Sequence, residues 1–140
     1  MPNRFHVLIV EDEPMIIEVL QGTLELEYRV SSAKTVRQAL AFLRTSHVDV
    51  VLVDSVLPDG RGAEVARVAE TVGAAVIAMS GYPEAMDDLQ RSQHLYLCKP
   101  FGPTALLSTL ENALYNNGKS RHRRAVKSAD TDQETSCRTD

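Results

Sequence analysis

Apolar residues in this chain come in short, nearly continuous runs, and each run ends on polar groups. Phe5 to Val10 stops at Glu11 and Asp12, and Val48 to Val53 stops at Asp54. Ala74 to Met79 stops at Ser80 and Gly81, and Leu95 to Cys98 stops at Lys99 and Pro100. Runs rich in Val and Ile that do not alternate with polar residues predict strands buried on both faces. Between the runs the apolar spacing turns helical. One helix is predicted from Pro14, a favoured first helical residue, carrying Met15, Ile16, Val19, Leu20 and Leu24. A second carries Val36, Ala39, Leu40 and Leu43, with Thr35 as its cap. A third follows the turn signal Pro58-Asp59-Gly60 and places Val65, Ala66, Ala69 and Val72 on one face. The last runs from about Pro103 to Tyr115 with Leu106, Leu107, Leu110, Ala113 and Leu114. Tyr28 to Ser32 reads as a weaker strand. Glu84 to Gln90 has helical spacing but a thin apolar face of Ala85, Met86 and Leu89.

Strands alternating with single helices predict βα units, a parallel sheet and right-handed crossovers. In the doubly wound, flavodoxin-like order 2-1-3-4-5 the first and third strands are neighbours at the switch point, beyond whose carboxyl ends α/β sheets build their sites. Glu11, Asp12 and Asp54 then converge. Three carboxylates that close repel one another and call for a cation, and hard oxygen ligands suit Mg²⁺. His6, His47, His94 and His122 are scattered and offer no competing nitrogen cluster. An ammonium about 4 Å from a carboxylate gains roughly 4 kcal/mol at an effective dielectric of about 20, before desolvation is subtracted. Lys99 can therefore be a structural ion pair. With Ser80 it also offers one charge and one hydrogen bond to the oxygens of an incoming phosphoryl group, for which Asp54 is the nucleophile. Singly these residues have blander roles: Glu11 or Asp12 as a helix N-terminal acid, Asp54 as a turn residue, Ser80 as a loop start. Only their combination argues for chemistry.

A chain of 140 residues has single-domain length, and a formal charge of −4 argues against bulk affinity for nucleic acid or membrane. No run reaches transmembrane length, and the N-terminus lacks a secretory layout, so a cytoplasmic protein is expected. Cys98 and Cys137 suggest no disulfide framework, and Cys98 reads as a small buried hydrophobe. After Asn116-Asn117-Gly118 no aliphatic residue exceeds Val126 in size. The expected division is a folded domain over 4–117 and a disordered polar tail over 118–140. The tail's basic stretch, Lys119 to Lys127, reads as a solvated linker rather than a nucleic-acid site. Gly60-Arg61-Gly62 begins a dinucleotide pattern, but Val65 holds the third glycine position.

Four segments in order, each at a strand end, resemble the response regulator receiver domain of two-component signalling. They are Val10-Glu11-Asp12-Glu13-Pro14, Asp54-Ser55-Val56-Leu57-Pro58-Asp59-Gly60, Met79-Ser80-Gly81-Tyr82 and Lys99-Pro100-Phe101. The resemblance spans about residues 5–116 and implies a CheY-like fold. It implies that Asp54 accepts phosphate from a sensor histidine kinase or phosphotransferase and switches the contact with a downstream effector protein. Asp12, Asp54 and the backbone carbonyl of Val56 would bind Mg²⁺, with Glu11 acting through water. Lys99 would touch the phosphoryl group, Ser80 would be the switch hydroxyl, and Tyr96 matches the family's rotating aromatic. Lys99-Pro100 is a candidate cis peptide. Catalysis beyond self-phosphorylation and self-dephosphorylation is not expected. Val56 and Tyr82 stand where the family's residues border the path of hydrolytic water, and their bulk predicts a prolonged phosphorylated state.

The stretch from Ser80 to Lys99 is shorter than in typical receivers, at the expense of the fourth helix. In this the chain is similar to stand-alone regulators, with no DNA-binding domain following. Three alternatives stand beside this reading. A pseudo-receiver would work by contact alone, against which the intact Asp12, Asp54 and Lys99 argue. A phosphatase of the haloacid dehalogenase type would need a second acid where Val56 stands. Nucleic-acid binding through the basic tail would show steep salt dependence.

Overall fold

Five parallel strands form the central sheet of the computed structural model, which describes residues 4–81 and 95–115. They are β1 (His6–Val10), β2 (Arg29–Ala33), β3 (Val50–Asp54), β6 (Ala75–Ser80) and β7 (Leu95–Cys98), in the spatial order β2-β1-β3-β6-β7. This is the predicted doubly wound order. Four helices flank the sheet among the described residues: α1 (Pro14–Leu24), α2 (Val36–Thr45), α3 (Gly62–Thr71) and α4 (Pro103–Leu114).

The nearly continuous apolar runs follow from this architecture. Successive strand residues point to opposite faces, and both faces are covered. Leu8, Val10, Val51, Val53, Val76 and Ala78 pack with Ala39, Leu43, Val65 and Ala69 of α2 and α3. Their strand neighbours Val7, Ile9, Val50, Leu52, Ile77 and Met79 pack with Ile17, Leu20, Leu106 and Leu110 of α1 and α4. His6 is buried at the start of β1, where its ring nitrogens lie 2.8 Å from the His47 carbonyl and 2.8 Å from Ser31 Oγ.

The first turn of α2 is tied down from two directions. Thr35 Oγ1 accepts the Gln38 N–H at 3.0 Å, as expected of its cap. The donors of Val36 and Arg37 reach instead to Asp59, at 2.7 and 3.1 Å. Those two bonds, the one from Val36 foremost, hold the Asp59 carboxyl below its ordinary value of 3.8. A depressed carboxyl stabilises the fold above its unfolded value, and that contribution is lost as pH falls through the folded value. Urea midpoints of wild type and Asp59→Asn should therefore differ most above the ordinary value of 3.8 and converge below it. A difference that does not change with pH would refute the linkage.

Four expectations are corrected. Pro58-Asp59 is more than a turn: it closes an antiparallel hairpin of β4 (Val56–Leu57) and β5 (Gly60–Arg61). Val72 is 47% exposed, because it caps α3 outside the helical phase, just before Gly73 in the left-handed region at φ 89°. The buried stripe of α1 is Ile17, Leu20 and Leu24, while Met15 and Val19 stand 70% and 65% exposed. That helix is apolar around much of its circumference, so spacing alone did not single out Ile17. Finally, Cys98 is half-buried rather than a fully buried hydrophobe.

No helix among the described residues is long and apolar enough to cross a membrane. The expected helix within Glu84 to Gln90, Tyr82, and the tail 118–140 lie outside the described residues.

Candidate functional site

The register of the sheet assembles the acidic groups. Val10 of β1 lies opposite Val53 of β3, so Glu11 and Asp12, just past β1, meet Asp54, the last residue of β3. One carboxylate oxygen from each lies within 4.8 Å of the others. Glu11 is fully buried and Asp12 is exposed, with Asp54 between the two extremes.

Lys99 follows β7, and its long stem reaches back to the carboxylates. Its Nζ donates to Glu11 Oε1 at 2.8 Å and to Asp54 Oδ2 at 3.1 Å. Burial pushes the Glu11 carboxyl above its ordinary value of 4.5; the bond from Lys99 opposes this and the nearby Asp54 charge adds to it. Burial works against the Lys99 ammonium as well, but the Glu11 bond and the two carboxylate charges outweigh it and raise its pKa. The ammonium therefore stays charged, and the pocket is left with an excess of negative charge. Backbone donors share the load: the N–H of Glu13 reaches Glu11 Oε2 at 3.2 Å, and that of Val56 reaches Asp54 Oδ1 at 3.4 Å.

Ser80 ends β6 and is buried, one residue past Met79, the sheet partner of Asp54. Its carbonyl accepts the Lys99 N–H at 2.9 Å, which links the ends of β6 and β7. The Lys99-Pro100 peptide is cis, as expected. Tyr96 is half-buried and packs with the core on the α2 and α3 side of the sheet. Val56 is 55% exposed, so its side chain borders solvent next to Asp54.

Three hard oxygen donors with no Cys or His among them fit Mg²⁺, and one side of the cluster is open through Asp12. Two further residues do more than the sequence signalled. Gly62 donates its N–H to the Ser55 carbonyl at 3.0 Å, and its bare Cα lies against the backbone of Asp54 and Ser55. Its only sequence signal was the discarded glycine pattern. Asp59, read as a turn residue, is the long-range cap of α2.

The chain belongs to the response regulator receiver family, whose domain model matches residues 7–111. It is 37% identical over 114 residues to the KDP operon transcriptional regulatory protein KdpE of Escherichia coli, covering 78% of this chain and 51% of that protein. With the transcriptional regulatory protein YkoG of Bacillus subtilis it shares 34% identity, covering 83% of this chain and 54% of that one. The chain thus spans about half the length of the curated relatives it matches. A CheY-like receiver domain from Methanospirillum hungatei superposes with a TM-score of 0.76 at 27% identity, covering 84% of this chain and 98% of that one. Vibrio cholerae chemotaxis protein CheY4 superposes with a TM-score of 0.72 at 28% identity, covering 80% and 100%. Receiver domains of this family typically bind Mg²⁺ at an acidic site and interact with histidine kinases and effectors.

Proposed function

We propose that Asp54 is the phosphoacceptor of a two-component relay, charged by a sensor histidine kinase or phosphotransferase and read by a downstream effector protein. The observation that carries this reading is the Lys99 ammonium, held within hydrogen-bond reach of both Glu11 and Asp54. A carboxylate oxygen of Asp54 attacks phosphorus. An O–P bond forms as the bond to the donor histidine nitrogen breaks, and that nitrogen leaves with the electron pair.

Asp12, Asp54 and the Val56 carbonyl would hold Mg²⁺, with Glu11 acting through water. Bound there, it would offset charge repulsion and favour in-line transfer. Lys99 then neutralises phosphoryl oxygens, and the Ser80 hydroxyl donates to one of them. That movement, with a reorientation of Tyr96, is the change the effector reads. The domain catalyses nothing beyond its own phosphorylation and dephosphorylation, works in the cytoplasm, and holds its phosphoryl group long because Val56 crowds the approach of water.

The test is intact-mass analysis after incubation with acetyl phosphate, with and without Mg²⁺, on wild type and Asp54→Asn. A single phosphoryl adduct is expected on wild type with Mg²⁺ and on neither control. Folded wild-type protein that forms no adduct and binds no Mg²⁺ would point to a pseudo-receiver acting by contact alone.

A further inference from the structure

Asp59 sits away from the carboxylate cluster, yet it joins two parts of the molecule that the sheet does not connect. It occupies the tip of the β4–β5 hairpin, and both its carboxylate oxygens are committed to α2, at the N–H groups of Val36 and Arg37. The hairpin begins at Val56, whose own N–H touches Asp54 Oδ1. Its far end is held where the Gly62 N–H meets the Ser55 carbonyl. The hairpin is only a two-residue ladder, with Val56 opposite Arg61 and Leu57 opposite Gly60. Such a short pair has little stability of its own. Leu57 anchors the hairpin in the core, and the grip on its tip adds a second hold on the segment that begins at Val56.

We propose that Asp59 is a positioning residue for the acidic site: by gripping the first turn of α2 it holds the backbone of Val56 where the metal requires it. The inference rests on the proposed metal role of the Val56 carbonyl. Helix α2 is a firm anchor, since its buried face of Val36, Ala39 and Leu43 is packed into the core. Its first-turn donors are divided between two caps. Thr35 takes the N–H of Gln38 from the helix's own N-terminus, whereas Asp59 takes those of Val36 and Arg37 from within the hairpin. Loss of either cap loosens the helix end, but only loss of Asp59 releases the hairpin tip from it.

Calorimetric titration of the unphosphorylated protein with Mg²⁺ tests this on wild type, Asp59→Ala, Asp59→Asn and Thr35→Ala. Amide exchange at Val36 and Arg37 is followed in parallel. Asp59→Ala should weaken Mg²⁺ binding about tenfold, the low end for residues that orient metal ligands. Asp59→Asn, which keeps one acceptor oxygen, should lose less. Thr35→Ala should lower the urea midpoint yet bind Mg²⁺ as wild type does. Faster exchange at Val36 and Arg37 in Asp59→Ala with unchanged Mg²⁺ affinity would overturn the inference, as would an equal loss of affinity in Thr35→Ala. If wild type itself binds no Mg²⁺, the metal reading falls, and this inference with it.

Discussion

Lys99→Ala is expected to cost the metal-free protein about 3 kcal/mol at neutral pH, the low end for breaking a buried ion pair because the lysine keeps some contact with water. The Lys99 side chain is 22% exposed, against 0% for Glu11 and 14% for Asp54. Its removal takes hydrogen bonds from both carboxylates and leaves them facing each other. Glu11 then loses the bond that opposes its burial, and its pKa rises further. The sign of the pH dependence follows. A carboxyl with a raised folded value binds its proton more tightly folded than unfolded, so stability falls as pH climbs from 4.5 through the raised value. The gap between variant and wild type should be small in acid and should widen through that window. Lys99, with its own pKa raised, holds the wild-type contribution until pH rises past 10.5. Mg²⁺ should narrow the gap, since it brings positive charge to the same carboxylates. Urea midpoints across pH, in chelator and in Mg²⁺, measure this. A gap indifferent to both would mean that Lys99 contributes packing alone.

Much of this architecture was legible because the physics that buries a parallel sheet is crude. A strand covered by helices on both sides needs apolar residues at odd and even positions alike, and Val7 to Val10 and Val50 to Val53 satisfy that without any fine detail. The site was legible for a related reason. Parallel strands end on the same edge, so Glu11, Asp12, Asp54, Ser80 and Lys99 had to gather there once the strand order was known. What stayed hidden depends on contacts distant in sequence. Asp59 caps a helix that begins 23 residues earlier, and no local pattern distinguishes that from an ordinary turn acid. In α1, Met15, Ile16, Ile17, Val19 and Leu20 leave the orientation about the helix axis to tertiary packing, so Ile17 was passed over. The shortest bond of Lys99 goes to buried Glu11 rather than to Asp54, a preference set by side-chain reach and not by spacing.

Gly62→Ala should be the most damaging small substitution near the site, with an expected loss of about 3 kcal/mol, the upper part of the usual range for overpacking. A Cβ at Gly62 would collide with the Asp54 backbone carbonyl oxygen and come within 3.1 Å of the Ser55 Cα. Neither obstacle is a flexible side chain that can swing away. Relief requires moving the backbone where β3 gives way to the hairpin, which carries the Asp54 carboxylate with it. Stability and phosphoryl uptake should therefore fall together, whereas a purely distant destabilising change would leave uptake by the folded fraction intact. Gly22→Ala supplies the opposite sign from the same chemical change. Nothing lies within 4 Å of a Cβ there, and alanine within α1 should stabilise by roughly 0.5–1 kcal/mol through lower backbone entropy in the unfolded chain. Urea unfolding of both variants, with acetyl-phosphate labelling of Gly62→Ala, separates steric exclusion from helix propensity. A Gly62→Ala protein as stable as wild type and labelled as fully would show that the β3–hairpin junction yields, and that the tight approach of α3 to Asp54 is not what places the carboxylate.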